Sequence, residues 1–409
     1  MNMAQSTLSS ILLASLAAVA TARNCKNLTV PISISARNTN FTLQAPATNI
    51  DVTNFVLDYS QAGVNFTQQA LGPNAAPNST SGEFATITGT YTIGATYCEP
   101  DAGPGSALQI LTHGIAFDRS YWDFPAQGHN YSYVNAALAR NYSTFAYDRL
   151  GLGGSSRGEP VNEIQTGLEV SALHALTTLL RRAAVPGVAA SYDKVLHVGH
   201  SYGSVQTWVL TATHEGVSDG IVLTGFSQDG DFVPYFMLGG NYVRASDASP
   251  ALAGYPPGYL ASADITAVQI NFFAPGNFDP AILEASYAAG QPVTIGELMT
   301  LGGETTGNNT FGGPVLIVTG GKMPATDFLE LTRGLKKLIC FFVLERDIPF
   351  CGGNCDASSP PIPAQAKQSF TNASYFDAVI VPGAGHGLNL EFSAQATYAS
   401  ILDFLDQHT

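Results

Sequence analysis

The spacing of hydrophobic residues changes along the chain near residue 107. Before that point, stretches such as "LTVPISIS" and "GEFATITGTYTIG" alternate hydrophobic and polar positions, which is the period of a strand with one buried face. After it, buried-strand runs such as "ALQILTHG" alternate with helical spacing, as in "NEIQTGLEVSALHALTTLLRRAA". This alternation is typical of a parallel sheet flanked by helices. We predict an antiparallel, β-rich segment over residues 23–106 and an α/β core from residue 107.

The α/β rhythm stops between residues 227 and 313. This stretch is rich in proline, glycine and aromatic residues, as in "VPYFMLGGNYV" and "GYPPGYL". The strands "GPVLIVTG" and "FDAVIVPGAG" and the helix "SAQATYASILDFLDQ" then resume the rhythm. We therefore predict a core in two parts, residues 107–226 and 314–409, with residues 227–313 inserted as a cap over the sheet.

The N-terminus has the features of a cleaved export signal. A hydrophobic run from Ile11 to Val19 ends in the small residues Ala20-Thr21-Ala22, and it is shorter than the roughly 20 residues that cross a bilayer. We predict a signal peptide over residues 1–22, no membrane span, and a secreted, extracellular protein. Eight Asn-x-Ser/Thr sequons agree with a glycoprotein: Asn27, Asn40, Asn65, Asn78, Asn130, Asn141, Asn308 and Asn372.

The charge and the cysteine content of the chain narrow the range of possible functions. Charged residues make up 12% of the chain and the net charge is −14, so the phosphates of a nucleic acid would be repelled. No cluster of ligand-type residues indicates a metal or an organic cofactor. The chain has five cysteines, an odd number for an exported protein. A Cys25–Cys98 bridge would tie together the two ends of the β-rich segment.

The motif that indicates chemistry is Gly199-His200-Ser201-Tyr202-Gly203, between a valine-rich strand and an uninterrupted helix. A Gly-x-Ser-x-Gly turn at this junction holds the serine in a strained backbone conformation and lifts its hydroxyl above the sheet. Glycine is needed at Gly199 and Gly203 because a Cβ there would collide with the turn. We predict that Ser201 is a nucleophile.

A serine nucleophile needs a base and donors for the oxyanion. His386, in "VIVPGAGHGLNL", follows the last strand and is the predicted base, whereas His200 is expected to point away through the turn. The predicted oxyanion donors are the N–H groups of Tyr202 and Ile115. Gly114 would let the second backbone turn towards the serine, and His113 would hold that loop by hydrogen bonds.

Together, "HG", "DRLGLGGSS", "GHSYGS" and "GHG" resemble the α/β-hydrolase superfamily in its AB-hydrolase-1 form with a cap, over roughly residues 107 to 405. The text after the penultimate core strand, "ERDIPFCGGNC", is similar to secreted fungal members. The resemblance implies an open, mostly parallel sheet and hydrolysis, usually of esters, through an acyl-enzyme. It also implies the chain order Ser, acid, His. Asp148 precedes the serine and is therefore expected to brace its loop.

The family acid should follow the strand that ends in Thr319-Gly320, but no acid occupies the next positions. Removal of residues 321–344 yields "PVLIVTG-ERDIPFCGGNC", which brings Asp347 to the expected place. Our hypothesis is that residues 321–344 are a translated, unspliced intron. "Gly-Lys-Met" can encode a GTAAG donor, and "Ile-Cys-Phe-Phe-Val-Leu-Glu" permits a pyrimidine-rich acceptor.

The composition of the same stretch agrees with this hypothesis. It holds four of the chain's 17 Lys and Arg residues, and it holds the odd cysteine, Cys340. Without it, four cysteines remain and would pair as Cys25–Cys98 and Cys351–Cys355. The alternative is a real helical insertion, "ATDFLELTRGLKKLI", with Asp327 as the acid.

The sequence thus predicts a secreted, capped serine hydrolase with Ser201, His386 and Asp347 as a catalytic triad. The aromatic cap favours an apolar, small-molecule ester as substrate. One alternative is a peptidase of the proline-iminopeptidase kind, which would bind an amine through acidic groups. The cap offers four such groups: Asp229, Asp231, Asp247 and Glu284. A second alternative is a catalytically silent α/β-hydrolase that only binds its ligand.

Overall fold

The computed structural model describes residues 23–71, 84–301, 305, 307–321 and 347–409. The predicted signal peptide and residues 322–344 of the suspected insertion lie outside the described residues. The described strands are β1 (Arg23–Thr39), β2 (Phe84–Pro100), β3 (Ala107–Thr112), β4 (Asp123–Phe124), β5 (Tyr131–Ser132), β6 (Tyr142–Tyr147), β7 (Val195–His200), β8 (Gly220–Thr224), β9 (Tyr242–Arg244), β10 (Tyr259–Ser262), β11 (Val293–Thr294), β12 (Pro314–Gly321) and β13 (Tyr375–Pro382).

The described α-helices lie between these strands in the chain or follow the last of them. They are α1 (Asn49–Tyr59), α2 (Phe66–Gln69), α3 (Tyr133–Ala139), α4 (Thr166–Arg181), α5 (Tyr202–Thr213), α6 (Val233–Gly239), α7 (Ala245–Ala248), α8 (Ile265–Phe272), α9 (Pro280–Ala288), α10 (Ile295–Thr300), α11 (Ile348–Cys351), α12 (Ile362–Gln365) and α13 (Ala394–His408).

A central sheet of eight strands runs in the order β1-β2-β6-β3-β7-β8-β12-β13. The strands from β6 to β13 pair in parallel, and β1 and β2 are antiparallel. Every residue of β3, β6, β7, β8 and β12 is buried, as expected for parallel strands covered on both faces. The predicted fold class, a mostly parallel α/β-hydrolase sheet, is confirmed.

The predicted strand-rich N-terminal segment is present as one edge of this sheet. Strands β1 and β2 pair along their whole length, and the register places Cys25 opposite Cys98, where the two form a disulfide. Val30, Ile32 and Ile34 alternate with exposed residues along β1. Because β2 also pairs with β6, the segment extends the core sheet and is not a separate leader.

Helix α1 in the same segment was not predicted from the alternating pattern. It begins with a capping box, in which Thr48 and Asp51 each accept from the other's backbone N–H. Val52, Phe55 and Val56 form its buried face, which has the i, i+3, i+4 spacing of a helix. The polar residues between the two strands therefore include a short amphipathic helix.

The chain leaves the central sheet after β8 and returns to it at β12. In between, the described residues form five helices, α6 to α10, and a three-stranded sheet in the order β11-β10-β9. We call residues 227–301 the cap segment. No described helix is long and apolar enough to cross a membrane.

The parallel strands place their carboxyl ends at one edge of the sheet, where ligands bind in open α/β folds. The turn after β7, the loop after β13 and the turn after β3 all lie at this edge. These are the three places where the sequence predicted the serine, the histidine and the oxyanion loop.

Candidate active site

Ser201 lies at the sharp turn between β7 and α5. Its backbone has φ 55° and ψ −119°, a strained conformation for a residue with a side chain. A Cβ at Gly199 would collide with the backbone of Gly203, and a Cβ at Gly203 would collide with the carbonyl of Thr112. The Ser201 N–H donates to the carbonyl of Thr224 over 2.8 Å, which fixes the turn to β8.

The imidazole of His386 contacts the serine hydroxyl. Its Nε2 atom lies 2.8 Å from Oγ of Ser201, although the two residues are 185 positions apart. The ring is fully buried and the serine is 5% exposed. This is the distance at which a general base can accept the serine proton.

Asp347 lies on the other side of the imidazole. Its Oδ1 atom is 3.2 Å from Nδ1 of His386, and both side chains are fully buried. The ring N–H is not well aligned with this oxygen, and among the described residues neither Nδ1 of His386 nor Oδ2 of Asp347 has a hydrogen bond. Such contacts often tighten only when substrate binds.

The backbone around Asp347 is held by the short helix that follows it. Asp347 caps helix α11, and its Oδ1 atom accepts from the N–H of Phe350 over 3.3 Å. The end of that helix is closed by a disulfide between Cys351 and Cys355. The alternative acid, Asp327, lies outside the described residues.

The prediction that His200 points away from the site is wrong. Its ring stacks on Tyr121 with 4.3 Å between centroids and lies 5.0 Å from the ring of His386. Nδ1 of His200 lies 3.1 Å from Oγ1 of Thr224. Because Thr224 uses its own proton to bond the carbonyl of Gly199, His200 donates this bond. Burial first, and then the neighbouring His386, lower the pKa of His200 well below its ordinary value.

The predicted oxyanion loop packs directly against the nucleophile. A Cβ at Gly114 would approach Cβ of Ser201 to 2.8 Å, so only glycine allows this contact. Ile115 and Tyr202 are both buried beside the serine turn. The structure therefore brings together the two residues whose N–H groups were predicted as donors.

His113 orients the peptide group that carries the Ile115 N–H. Its Nε2 atom accepts from the Arg149 N–H over 3.1 Å, so Nδ1 bears the proton and donates to the carbonyl of Gly114 over 2.8 Å. That carbonyl and the Ile115 N–H belong to one peptide unit. Burial, followed by the Arg149 charge, lowers the pKa of His113 well below its ordinary value, which keeps the ring neutral.

A buried ionic cluster around Arg149 was not predicted. Its guanidinium contacts the carboxyl groups of Glu169 on α4, at 2.9 Å, and Glu297 on α10. It also lies 4.7 Å from the ring centroid of Tyr202 and 3.4 Å from the Gly114 carbonyl. Burial raises the pKa of Glu169 above its ordinary value, and the Arg149 charge opposes this shift. The only sequence signal was a charged residue in each of three otherwise apolar stretches.

The loop braced by Asp148 lies next to this cluster. Its carboxyl group forms an ion pair with Arg119 and accepts the backbone N–H of Gly154 over 2.7 Å. This placement agrees with the bracing role expected for Asp148.

A small apolar pocket lies over the serine. Its cavity volume is about 10 Å³, and its lining residues are Ile115, Ser201, Val233, Phe236, Leu301, Pro349 and Phe350. None of the acidic residues considered for amine binding is among these lining residues. Aromatic rings also enclose the imidazole, since Phe272 and Phe350 each lie 5.7 Å from the ring of His386.

No group of three or more His, Cys, Asp or Glu side chains in the described part of the chain is placed to hold a metal ion. Ser201, His386 and Asp347 offer a hydroxyl, an imidazole and a carboxyl group, beside the backbone N–H donors.

Comparisons with known proteins agree with this architecture. The family model described as "Alpha/beta hydrolase family" matches residues 109–400. A thermophilic esterase from Thermogutta terrifontis has a similar structure, with TM-score 0.50, 12% identity, and coverage of 78% of this chain and 96% of that chain. At this identity the likeness concerns the fold alone.

Two further solved structures are similar over the same extent. Rv0554 from Mycobacterium tuberculosis has TM-score 0.48 and 16% identity, covering 80% of this chain and 96% of that chain. The enol-lactonase from Burkholderia xenovorans LB400 has TM-score 0.45 and 15% identity, covering 77% of this chain and 97% of that chain. No curated protein sequence matches this chain significantly.

Proposed function

Because this chain belongs to the alpha/beta hydrolase family, we propose that it is a secreted serine hydrolase that cleaves carboxylic esters or related acyl compounds. The observation that carries this proposal is the 2.8 Å contact between Nε2 of His386 and Oγ of Ser201. This contact supports an active hydrolase over the catalytically silent binding protein, since a serine activated in this way is a nucleophile.

The proposed reaction has two halves. In the first, His386 takes the proton of Ser201 while Oγ attacks the carbonyl carbon of the ester. The oxyanion that forms accepts hydrogen bonds from the N–H groups of Ile115 and Tyr202. When the tetrahedral intermediate collapses, the imidazolium gives its proton to the departing alcohol oxygen, which leaves an acyl-enzyme on Ser201.

In the second half, water replaces the alcohol. His386 takes a proton from water, the resulting hydroxide attacks the acyl carbon, and the proton returns to Oγ as the carboxylic acid leaves. Asp347 holds the imidazole in the tautomer with its proton on Nδ1 and stabilises the positive charge that forms on the ring.

The pocket favours a neutral, apolar acyl group. The lining residues named above carry no charged side chain, whereas the peptidase alternative needs acidic groups to bind an amine. The cavity volume beside the serine, about 10 Å³, has room for roughly one water molecule. We therefore expect short acyl chains to be better substrates than long ones.

The first experiment is a panel of p-nitrophenyl esters, from acetyl to palmitoyl, measured beside aminoacyl p-nitroanilides. We expect hydrolysis of the short esters and none of the anilides. Ser201→Ala should abolish hydrolysis, and Ser171→Ala on α4 is the matched control that should retain it. Cleavage of the anilides but not the esters would contradict the proposal and support the peptidase.

We also propose that residues 1–22 are removed on export and that residues 321–344 derive from an unspliced intron. The second proposal is supported by Asp347, which contacts His386 although only two residues separate it from that stretch. A chain in which Gly320 is joined directly to Glu345 should then hydrolyse esters at least as well as the full chain. Loss of activity in that chain, or a dominant spliced transcript that keeps these codons, would refute the intron hypothesis.

A further inference from the structure

Glu391 is a buried carboxyl group that the proposed reaction does not use. It is fully buried and lies in the loop between β13 and α13. Its Oε2 atom accepts from the Gly385 N–H over 2.6 Å, and its Oε1 atom accepts from the Ala274 N–H over 2.6 Å. Gly385 directly precedes His386, whereas Ala274 belongs to the cap segment. One side chain therefore joins the histidine loop to the cap.

A second contact ties the other side of the histidine to the same part of the cap. The Gly387 N–H donates to the carbonyl of Phe272 over 2.6 Å. The ring of Phe272 also stacks on the imidazole, with an interplanar angle of 25°. The residues directly before and after His386 thus both bind residues 272–274 through their N–H groups, Gly387 directly and Gly385 through Glu391.

The histidine loop and the cap segment approach so closely that neither Gly385 nor Gly387 has room for a side chain. A Cβ at Gly385 would come within 2.7 Å of the Ala274 nitrogen, and a Cβ at Gly387 would come within 2.9 Å of the Phe272 oxygen. Glu391 also accepts from Nδ2 of Asn277 over 3.3 Å, which adds a further cap residue. The position of the imidazole is therefore set by backbone groups of the cap as well as by the sheet.

We infer that Glu391 is a positioning residue that fixes the direction of His386 towards Ser201 by joining the Gly385 peptide to the cap. This inference rests on the proposed hydrolase function. As a consequence, the cap segment does more than cover the pocket. The position of the cap segment and the position of His386 are coupled. A misplacement of reacting groups by about 1 Å can cost on the order of 100-fold in rate.

The test compares Glu391→Gln and Glu391→Asp with the native enzyme. Glutamine presents an NH₂ group to one of the two N–H donors, and aspartate is too short to reach both. The turnover of p-nitrophenyl acetate is measured per active site, with sites counted by the amount of fluorophosphonate label that reacts. We expect kcat per labelled site to fall by about 10- to 100-fold while KM changes by less than about three-fold.

Glu215→Gln, at an exposed position after α5, is the matched control and should leave both constants unchanged. A purely structural role for Glu391 would lower the melting temperature and the number of labelled sites without changing kcat per site, and this result would overturn the inference. Failure of both variants to fold would also overturn it, because Glu391 would then serve the fold alone. If the native protein neither reacts with the label nor hydrolyses the ester, it is the proposed function that fails.

Discussion

The serine side and the histidine side of the proposed catalytic pair each depend on a buried carboxyl group, but the two groups have different partners. On the serine side, Glu169 binds the guanidinium of Arg149, which also contacts Tyr202 and the Gly114 carbonyl. On the histidine side, the Glu391 carboxyl group accepts hydrogen bonds from neutral donors. These are the N–H group of Ala274 in the cap segment, the N–H group of Gly385 in the histidine loop, and the side-chain amide of Asn277.

The serine side is formed within one region of the fold, whereas the histidine side is assembled from several distant stretches of the chain. The serine turn, the oxyanion loop and most of the Arg149 cluster belong to residues 107–226, within the parallel core. The histidine side joins three distant stretches, around residues 272, 347 and 386. We therefore expect substitutions of supporting residues on the serine side, such as Arg149, to affect mainly the stability of the fold. Substitutions of supporting residues on the histidine side, such as Asp347, should affect mainly catalysis.

Among the residues that support Ser201 and His386, the largest effect on catalysis is expected from Asp347→Asn. The amide cannot accept the Nδ1 proton in the required way, so His386 loses its preferred tautomer, and kcat should fall by on the order of 10³- to 10⁴-fold. The fold should persist because asparagine caps a helix about as well as aspartate. Steady-state kinetics with an unchanged circular dichroism spectrum would check this.

The same substitution also tests the assignment of the acid. A kcat of Asp347→Asn close to the native value would show that Asp347 does not serve His386. Asp327→Asn, measured beside it, should leave kcat unchanged. The reverse result for the two variants would establish the alternative acid.

On the serine side, Arg149→Met should mainly destabilise the fold. It leaves the carboxyl groups of Glu169 and Glu297 buried without their cation, and loss of one partner from a buried ion pair costs about 3–5 kcal/mol. Urea unfolding of Arg149→Met should show this loss in the free energy of unfolding. Arg182→Met, at an exposed position of the chain, is the control and should unfold with the native free energy. An unfolding free energy within about 1 kcal/mol of native would show that the cluster does not hold the serine side together.

The smallest predicted effect is a dependence of stability on pH. Burial raises the pKa of Glu391 from 4.5 to about 8. Between these values the folded chain holds a proton on Glu391 that the unfolded chain has lost, so this contribution to stability is present at acid pH and falls as the pH rises towards 8. The slope from this carboxyl group should be about 1 kcal/mol per pH unit.

The measurement is urea unfolding between pH 6.5 and 8. Glu391→Gln removes this titrating group and should reduce the slope, whereas Glu215→Gln should not. An equal slope in native protein and Glu391→Gln would show that Glu391 is already ionised throughout this range and would contradict the assignment.

Some residues of this site could be predicted from the sequence, and others could not. The serine turn is a local pattern between a strand and a helix, and the histidine loop follows a recognisable last strand, so both positions could be predicted. The placement of Asp347 needed the removal of residues 321–344 from the text, and its role stays a prediction.

The supporting residues could not be predicted in the same way. Arg149, Glu169 and Glu297 each look like one charge in an apolar stretch, and only the folded chain brings them together. Glu391 is five positions after His386, but its partner in the cap is more than a hundred positions away. His200 was misplaced because the direction of a side chain in a strained turn depends on neighbours such as Tyr121 and Thr224.

The central claim is that the imidazole of His386 activates one serine hydroxyl. The most direct measurement is reaction of the purified protein with a fluorophosphonate, followed by mass spectrometry of the labelled peptide, for the native chain and for His386→Ala. We predict a single label on Ser201 in the native chain and a labelling rate lower by several orders of magnitude in the variant. A label on another residue, or equal labelling rates in the two chains, would contradict the account.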